Sequence, residues 1–492
     1  MNPPETPAPG ARRRIGVLPF ARATFDVAFA REKSRAMFAQ LERAAARGNF
    51  DIIGAREMLF DQAAAMRSLR ALPAVDQLLV LQLTFTDADA VVAAAAEFAG
   101  PLGIWAAPEP RIGGRLRLNA FCGLNLASHA LGLHGRDFSY LYADPAAPTV
   151  AGDLDELLDG RRMAGRLDAA PVDPTAAAST DAAQPMAAAG RAIARALAGK
   201  RIARIGAHPP GFHTCAYSAA RVEQLTGVTI DEFDIDELFD AARAAPAASV
   251  ADARRIADDA LHGNGMDALD QPQLNRSLRL KAGLDALRAR GGYDAFAVRC
   301  WPETFTEYGG AVCAPVSMLG EAKIPCACEA DVYGALTQML VQEAADAPVF
   351  LSDLVDLDAA DDSGVIWHCG QAPISMRDPD PKPGAAPVAT IHTNRKMPLL
   401  YQFALKPGAM TFARISQSRN QPKFVIGACE ALHRPLAFTG TSGVVRFARG
   451  ASQMLRDLID ARIEHHMVFV YGDHRAKLRA AAAALGLPTL EL

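Results

Sequence analysis

Apolar residues along the chain alternate between short continuous runs and longer stretches with helical spacing. "RIGVLPF", from Arg14 to Phe20, is a short apolar run that predicts a buried strand. The following "REKSRAMFAQLERAAARG" has apolar residues at helical intervals and predicts a helix that ends at Gly48. "DQLLVLQLTF", "DADAVVAAAAEFAG" and "PLGIWAAP" repeat the order of strand, helix and strand. Buried strands that alternate with helices indicate a parallel α/β layer structure.

A second α/β series and a β-rich region follow further along the chain. The second series begins at "KRIARIGAHPPGF" and contains the strand "DAFAVRCW" and a helix from Val332 to about Ala344. Between the two series lies the Ala- and Pro-rich "LDAAPVDPTAAASTDAAQPMAAAG", which predicts a loop, hinge or mobile insertion. From "APVFLSDLVDLD" onward, β-type alternation with Gly, Pro and Asn predicts a mainly β domain, and "ASQMLRDLIDARI" and "HRAKLRAAAAALG" are helical.

These patterns divide the chain of 492 residues, which is too long for a single core, into five parts. We predict a disordered tail at 1–13, an N-terminal α/β domain at 14–165 and an Ala/Pro-rich linker and helix at 166–198. A second α/β domain at 199–355 and a β-rich C-terminal domain with terminal helices at 356–492 complete the prediction.

Composition and charge are those of an ordinary globular enzyme. Hydrophobic residues make up 50% and charged residues 22% of the chain, which argues against disorder. Lys plus Arg number 51 and Asp plus Glu 55, so the net charge of −4 gives no reason to expect nucleic acid or a membrane as partner. No apolar stretch is long enough to span a bilayer, and we predict a cytoplasmic protein that binds small molecules. Cys326 and Cys328 are too close together for the usual zinc pairing. The eight Cys are scattered, and we predict that they are reduced, buried thiols of a cytoplasmic protein.

The sequence lacks the standard motifs for nucleotides and for serine hydrolases. It has no G-x-x-x-x-G-K-[ST] loop and no G-x-G-x-x-G after a strand, which speaks against ATP and NAD. "GTSGVV" near Ser442 has the wrong spacing for a nucleophile elbow.

Carboxylates and imidazoles near predicted strand ends are the candidates for chemistry. They are Glu303 after "DAFAVRCWP", Glu329 and Asp331 in "CEAD", His368 in "GVIWHCGQAP", and His465 and His466 in "EHHMVFVYGD". In α/β sheets, ligands bind beyond the carboxyl ends of the strands. Together these donors suit a Mn²⁺-like divalent ion with open coordination positions.

Each candidate also has a purely structural explanation. Asp331 can be the N-cap of the helix that begins at Val332. Glu303 can be a solvated loop carboxylate, and His368 can be a hydrogen-bonded core histidine. The histidine pair can lie on the surface at the start of a strand. Spacing does not decide between these alternatives, because ligands from distant segments have no diagnostic interval.

Taken in order, "WPETF", "CEADVYGALT", "WHCGQAP" and "HHMVFVYGD" resemble the L-fucose isomerase and L-arabinose isomerase superfamily. "PFARATFDVAFA" and "TFTDADAVVAAAAEF" resemble it too, so the resemblance covers most of the chain. It implies two Rossmann-like, three-layer α/β/α domains followed by a mainly β, barrel-like domain. It also implies aldose–ketose isomerisation with Mn²⁺, or with Mg²⁺ or Co²⁺. A homo-oligomer, trimer or hexamer, with sites where subunits meet is implied as well.

The resemblance also assigns roles to individual residues. Glu303 matches the first metal-binding glutamate, Asp331 the metal aspartate of the fucose branch, and His466 the C-terminal metal histidine. Glu329 falls at the acidic position of the arabinose branch, and His368 matches a metal histidine of that branch only. The chain therefore combines features of both branches.

The implied reaction moves a proton between carbons 1 and 2 of the sugar. A divalent ion would stabilise the ene-diolate as a Lewis acid, and a positioned carboxylate would carry the proton. We predict Glu303 and Asp331 as the acid–base pair and as metal ligands. His466, or the adjacent His465, completes the shell, and His368 is a fourth ligand or a contact to a substrate hydroxyl.

The predicted substrate is a free pentose or a 6-deoxyhexose-type sugar. The candidate substrate contacts are Arg299, Trp301, Glu307, Tyr308 and Gln371. By resemblance alone, Arg22, Thr24 and Asp26 reach the site of a neighbouring subunit. Two alternatives stay open: a metal-dependent epimerase or lyase acting on a modified sugar or sugar acid, and a non-catalytic sugar-binding protein.

Overall fold

The computed structural model describes residues 12–171, 183–379 and 386–492. Its N-terminal strands are β1 (Arg13–Phe20), β2 (Phe50–Ile53), β3 (Gln77–Gln82), β4 (Leu102–Ala106) and β5 (Ser139–Tyr142). The helices of this region are α1 (Val27–Arg47), α2 (Gln62–Ala71), α3 (Asp89–Glu97), α4 (Ala120–Leu133) and α5 (Val150–Leu158). The five strands form one parallel sheet in the order β2-β1-β3-β4-β5.

The second region contains a smaller parallel sheet. Its strands are β6 (Arg201–Ile205), β7 (Thr229–Phe233), β8 (Ala295–Val298) and β9 (Cys326–Ala327). Its helices are α6 (Ala183–Leu197), α7 (Ala219–Thr226), α8 (Ile235–Ala244), α9 (Ala247–Leu261), α10 (Gln271–Gly291), α11 (Cys313–Glu321) and α12 (Val332–Ala345). The strand order is β7-β6-β8-β9.

The C-terminal region is a mostly antiparallel sheet of nine strands. They are β10 (Phe350–Asp358), β11 (Ser363–His368), β12 (Val388–Thr390), β13 (Leu400–Ala404), β14 (Gly408–Ser416), β15 (Lys423–Ala431), β16 (Thr441–Phe447), β17 (His466–Tyr471) and β18 (Thr489–Glu491). The helices α13 (Ala451–Ala461) and α14 (Arg475–Ala484) belong to the same region. The order is β12-β13-β16-β11-β10-β17-β14-β15-β18, and β15 also pairs with β16, which joins six of the strands into a closed ring.

The predicted combination of parallel α/β sheets with a mainly β C-terminal part is confirmed. The helix expected at Val332 begins at that residue, and the first predicted helix ends before Gly48. The predicted boundary between residues 355 and 356 falls inside β10. Residues 1–11 of the predicted tail and 172–182 of the predicted linker lie outside the described residues.

Chain order in the two parallel sheets explains where a pocket can form. In the first sheet β1 lies between β2 and β3, and in the second β6 lies between β7 and β8. A crevice opens beyond the carboxyl ends of strands at such a reversal. Arg22 and Phe85 follow β1 and β3, while Phe212 and Trp301 follow β6 and β8. Both reversals therefore supply side chains at strand ends.

Helix α4 is buried along nearly its whole length and contacts β3 and β4 as well as β10. It therefore connects the first sheet to the third. With 14 residues it is about 21 Å long, which is shorter than a bilayer core. No helix in the described ranges is both long and apolar enough to cross a membrane.

Candidate active site

A pocket opens where the N-terminal, second and C-terminal regions meet. It is lined by Arg22, Thr24, Phe25, Phe85, Asn119, Cys300, Trp301, Phe305, Cys313, Cys328, Glu329, Asp353, Trp367, His368, Cys369, Gln371, His392, Asn394 and Arg395. Each of the three regions contributes polar side chains, so the pocket depends on the way they pack together.

Two carboxylates and two imidazoles converge beside this pocket. Glu329 Oε2 lies 3.0 Å from His465 Nε2 and 3.7 Å from His466 Nε2. Asp353 Oδ1 lies 3.4 Å from His466 Nε2 and 3.9 Å from His465 Nε2. All four residues are buried. Two carboxylate oxygens and two ring nitrogens thus face one another within a single small volume.

The backbone explains how residues so far apart in sequence come together. Antiparallel pairing of β10 with β17 places Asp353 directly opposite His466. Glu329 lies in the turn between β9 and α12, where both Glu329 (φ +58°) and Ala330 (φ +55°) are left-handed. Left-handed non-glycine residues cost about 1–3 kcal/mol each and persist where the surroundings hold them. The backbone of this turn is therefore strained, and in this conformation the Glu329 carboxylate points to the histidine pair.

The electrostatics of this group favour a bound cation. Burial raises the pKa of Asp353, and the charges of His465 and His466 only partly oppose this shift. Burial acts on Glu329 in the same sense, but the hydrogen bond and charge of His465 outweigh it and lower the pKa of Glu329 to about 2. Asp353 Oδ1 has no hydrogen-bond partner among the described residues. A buried, unpaired carboxylate oxygen beside imidazole nitrogens fits a divalent metal ion.

Asp331 contacts the Nδ1 side of His466, and both of its carboxylate oxygens already accept hydrogen bonds from other protein groups. Its oxygens accept hydrogen bonds from both terminal nitrogens of Arg414 and from the backbone N–H of Gly334, at 2.8 Å. His466 Nδ1 lies 3.0 Å from Asp331 Oδ2. Asp331 is the N-cap of α12, one of the alternatives considered from sequence. It holds His466 so that Nε2 faces Glu329 and Asp353, an arrangement typical of metal-binding histidines.

His368 lines the pocket as a hydrogen-bond donor. Its Nδ1 accepts the backbone N–H of Cys369 at 2.8 Å, so the neutral ring carries its proton on Nε2. Nε2 lies 3.0 Å from Cys328 Sγ. Burial and the nearby charge of His466 lower the pKa of His368 to about 3. Contact with a substrate hydroxyl is compatible with these hydrogen bonds, and His368 also forms a possible metal-holding group with Cys328 and His466. Both predicted roles of His368 stay predictions.

Glu303 lies at the start of a one-turn π-helix, Thr304–Tyr308, and forms an ion pair with Arg299. Arg299 Nε donates to Glu303 Oε2 at 2.6 Å, and Arg299 Nη2 lies 2.5 Å from Oε1. Neither residue belongs to the pocket lining or to the groups of converging donors in the described ranges. The assignment of Glu303 as a metal ligand stays a prediction, and it requires the pair with Arg299 to open.

The predicted substrate contacts separate into two sets. Trp301 and Gln371 line the pocket, and both amide atoms of the buried Gln371 have no partner among the described residues. Glu307 is exposed, and Tyr308 is buried in the core, where it stacks on Phe239 with ring centroids 5.1 Å apart. The fold brings the first two residues to the pocket and leaves Glu307 and Tyr308 outside its lining.

The segment after β1 also contributes to the pocket. Arg22 and Thr24 line the pocket of their own chain. Asp26 instead caps α1 by accepting the N–H of Phe29 at 3.1 Å, and it forms an ion pair with Arg117 at 3.0 Å. The predicted contact of this segment with a neighbouring subunit stays a prediction.

Most residues of the pocket lining were not singled out from sequence. Asn119, Cys328, Asp353 and Arg395 are among them. Asp353 lies in the middle of a strand, and Asn119 and Arg395 lie in loops without a motif. Cys328 adjoins "EAD" and was interpreted only as a buried thiol. Strand pairing, rather than any local pattern, distinguishes Asp353 from the other acidic residues of β10.

Comparison with known proteins identifies the family of the chain. The family described as "Fucose/sulfoquinovose isomerase, N-terminal domain" matches residues 16–168. A sulfoquinovose isomerase of Clostridium sp. (strain MSTE9) is 30% identical over 418 residues, which cover 84% of this chain and 85% of that protein. Sulfoquinovose isomerases of Priestia aryabhattai and Priestia megaterium are each 28% identical over 478 residues, covering 96% of this chain and 97% of theirs. The chain therefore belongs to the fucose/sulfoquinovose isomerase family and is an aldose–ketose isomerase.

Proposed function

We propose that this enzyme is a metal-dependent isomerase that interconverts sulfoquinovose and its ketose. Sulfoquinovose is a 6-deoxyhexose with a sulfonate group on carbon 6, and three relatives that align with most of the chain bear its name. The observation that carries the proposal is the convergence of Glu329, Asp353, His465 and His466 beside the pocket.

Glu329, His465 and His466 are the residues proposed to hold the metal, which we take to be Mn²⁺. Their three donor atoms lie within 4.8 Å of one another, and Asp353 Oδ1 lies 3.4 Å from His466 Nε2. When bound, a divalent cation supplies Lewis-acid stabilisation for the negative charge of the ene-diolate. Asp331 orients His466 from behind through the Nδ1 hydrogen bond.

Asp353 is the residue proposed to carry the proton. Its Oδ1 is buried and has no hydrogen-bond partner within the described ranges, whereas Glu329 accepts the indole N–H of Trp301 at 3.1 Å. In the forward direction Asp353 takes the proton from carbon 2 and returns it to carbon 1, while the hydroxyl proton of O2 moves to O1. No atom is gained or lost. The side chains of Asn119 and Gln371, which have unpaired atoms at the pocket, would bind sugar hydroxyls.

Aromatic side chains keep this reaction away from bulk water. Phe212 contacts Trp301 edge-on with centroids 5.2 Å apart and Phe85 at 5.6 Å. Phe25 continues the row, 5.9 Å from Phe85. Aromatic rings that exclude water strengthen the electrostatic interactions of the carboxylates and protect a reactive ene-diolate from solvent.

The direct test is an assay of the purified full-length chain with sulfoquinovose. Metal is removed with a chelator, Mn²⁺ is added back, and the product is identified by NMR in D₂O. We expect ketose formation that depends on the metal, with deuterium incorporated at carbon 1 because a carboxylate-bound proton exchanges with solvent. A neutral 6-deoxyhexose and a pentose are assayed in parallel. Absence of ketose, or an epimer or elimination product instead, would overturn the proposal.

Matched amide substitutions decide which carboxylate moves the proton. We expect Asp353→Asn to lower kcat by about 10²–10⁴-fold, the range for a positioned acid–base group. Glu303→Gln is the comparison, because Glu303 is equally a carboxylate but is paired with Arg299. If Glu303→Gln abolishes turnover and Asp353→Asn does not, the acid–base pair predicted from sequence, Glu303 with Asp331, replaces the one proposed here.

A further inference from the structure

Trp301 contacts groups of opposite charge at its edge and over its ring. At the indole edge the N–H of Trp301 donates to Glu329, next to the histidine pair. Over the ring, the guanidinium carbon of Arg22 lies 4.4 Å from the centroid. The guanidinium carbon of Arg395 lies 5.7 Å from the same centroid. A ligand in this pocket that contacts Trp301 is therefore within reach of both a carboxylate and two cations.

Arg22 and Arg395 form no direct ion pair in the described part of the chain, although the charge of Asp87 acts on Arg22 from further away. Neither guanidinium forms a hydrogen bond or an ion pair there, although both residues are partly buried. Burial lowers the pKa of both arginines, and the charge of Arg395 lowers that of Arg22 further. Two desolvated like charges beside one ring are unfavourable unless an anion pairs with them. The position of both side chains in the pocket lining indicates where that anion would bind.

The two segments that carry these arginines are tied together by Arg115. Its Nε donates to Asn394 Oδ1 at 2.6 Å, and its Nη2 donates to the carbonyl oxygen of Thr24 at 3.0 Å. Asn394 directly precedes Arg395, and Thr24 follows Arg22 by two residues. One side chain therefore fixes the spacing between the two arginine-bearing segments. Such preorganisation favours recognition of a group with a defined shape.

The local charge suits a group with a single negative charge. Asp87 is the carboxylate that attracts Arg22 most strongly. With Glu329 assigned to the proposed metal group, the two guanidinium groups and Asp87 leave one positive charge in excess, which matches a sulfonate monoanion better than a phosphate dianion. Guanidinium groups present planar forks of N–H donors that bind tetrahedral oxyanions in pairs.

We propose that Arg22 and Arg395 bind the sulfonate on carbon 6 of the substrate and thereby select sulfonated over neutral 6-deoxy sugars. This inference rests on the proposed isomerisation of sulfoquinovose at the same pocket. Because the arginines lie over the Trp301 ring and Glu329 lies at its indole edge, a sulfonate held by the arginines leaves the rest of the sugar within reach of the carboxylates. The arginines are specificity residues and take no part in proton transfer.

The test compares Arg22→Gln and Arg395→Gln with Lys396→Gln in the full-length chain with Mn²⁺. Lys396 is the matched control, since it adjoins Arg395 but is exposed and outside the pocket lining. The substrates are sulfoquinovose, the same sugar without its sulfonate, and glucose 6-phosphate. We expect each arginine variant to raise KM for sulfoquinovose about 10- to 100-fold, as for the loss of a hydrogen bond to a charged group, with kcat changed much less. Each variant should lower kcat/KM for the neutral sugar much less than for sulfoquinovose.

Calorimetric binding of the open-chain alditol of sulfoquinovose separates this inference from the proposed reaction, because the alditol cannot be isomerised. Wild type and Lys396→Gln should bind it equally, and both arginine variants should bind it about 10- to 100-fold more weakly. If wild type makes no ketose yet shows this binding pattern, the proposed function fails and the sulfonate site stands. Equal losses on the sulfonated and neutral sugars, unchanged binding by both variants, or preferred turnover of glucose 6-phosphate would each overturn the sulfonate assignment.

Discussion

Replacing Asp331 with Asn removes one negative charge from a carboxylate that has three partners. Arg414 contacts both oxygens, His466 Nδ1 contacts one of them, and the N–H of Gly334 donates to the other. Asn has nearly the same shape and is as good an N-cap as Asp. The substitution therefore tests the charge of Asp331 rather than its role at the start of α12.

The expected cost follows from the burial of the ion pair. The side chain of Arg414 is 0% exposed and that of Asp331 is 1% exposed. Removing one partner of such a pair leaves the other charge uncompensated, and we expect the free energy of unfolding to fall by about 3–5 kcal/mol. His466 also loses its carboxylate partner, which should weaken metal binding by about 10- to 100-fold.

Two measurements separate these effects. Urea unfolding at pH 7 after metal removal gives the change in stability, and titration with Mn²⁺, followed by the EPR signal of the free ion, gives the change in affinity. Asp270→Asn is the control, because Asp270 caps α10 through the N–H of Gln273 but is exposed and forms no ion pair within the described ranges. It should change the free energy of unfolding by less than about 0.5 kcal/mol. The double variant with Arg414→Met should recover most of the stability that Asp331→Asn loses.

Two outcomes of these measurements would contradict the expected role of Asp331. If the free energy of unfolding of Asp331→Asn lies within about 1 kcal/mol of wild type, well short of the loss typical of breaking a buried pair, then the ion pair with Arg414 does not stabilise the fold as argued. If stability is unchanged but Mn²⁺ binding is abolished, Asp331 is itself a metal ligand, as the resemblance implied.

Three further substitutions test packing and burial by urea unfolding. Glu109→Gln should lower the free energy of unfolding by about 1–3 kcal/mol, because the carboxylate accepts three backbone N–H groups from residues 117–119 and an amide nitrogen cannot. Gly190→Ala should cost about 1–3 kcal/mol, since its Cβ would lie 2.6 Å from the Cβ of Ala480 where α6 packs on α14. Lys423→Met should stabilise by about 1–2 kcal/mol at pH 7, because Lys423 Nζ is buried without a partner in the described part of the chain. Burial lowers the pKa of Lys423 in the folded state. Wild type should therefore gain stability as pH rises from that lowered pKa to the ordinary pKa of lysine, and the advantage of Met should shrink over the same pH range.

The fold was largely predictable because its signals are local. Apolar runs such as "RIGVLPF" become buried strands whatever lies elsewhere in the chain, and β1 covers the predicted segment. The start of α12 was predictable for the same reason, since Asp331 caps the helix that begins one residue later. The pairing of β15 with β16 depends on long-range register that no local pattern contains.

The candidate site was predictable only where its polar side chains lie at the ends of predicted strands. The segments containing Glu329 and His466 stood out because polar side chains bordered apolar runs. Asp353 did not, because its role depends on being paired with His466, which lies more than one hundred residues further along the chain. Arg395 likewise gains its significance from its position beside Trp301 and Arg22.

The role of each carboxylate depends on its partners more than on its motif. Glu303 and Asp331 both lie in motifs of the family, and each is paired with an arginine, Arg299 in one case and Arg414 in the other. A carboxylate whose two oxygens are both held by a guanidinium group has little capacity left for a metal or a migrating proton. Asp353 belongs to no motif, but it has a buried oxygen without a partner among the described residues and faces two imidazoles. The carboxylate oxygen without a hydrogen-bond partner therefore favours Asp353 as the group that contacts the substrate. The carboxylates paired with arginine are better suited to a structural role.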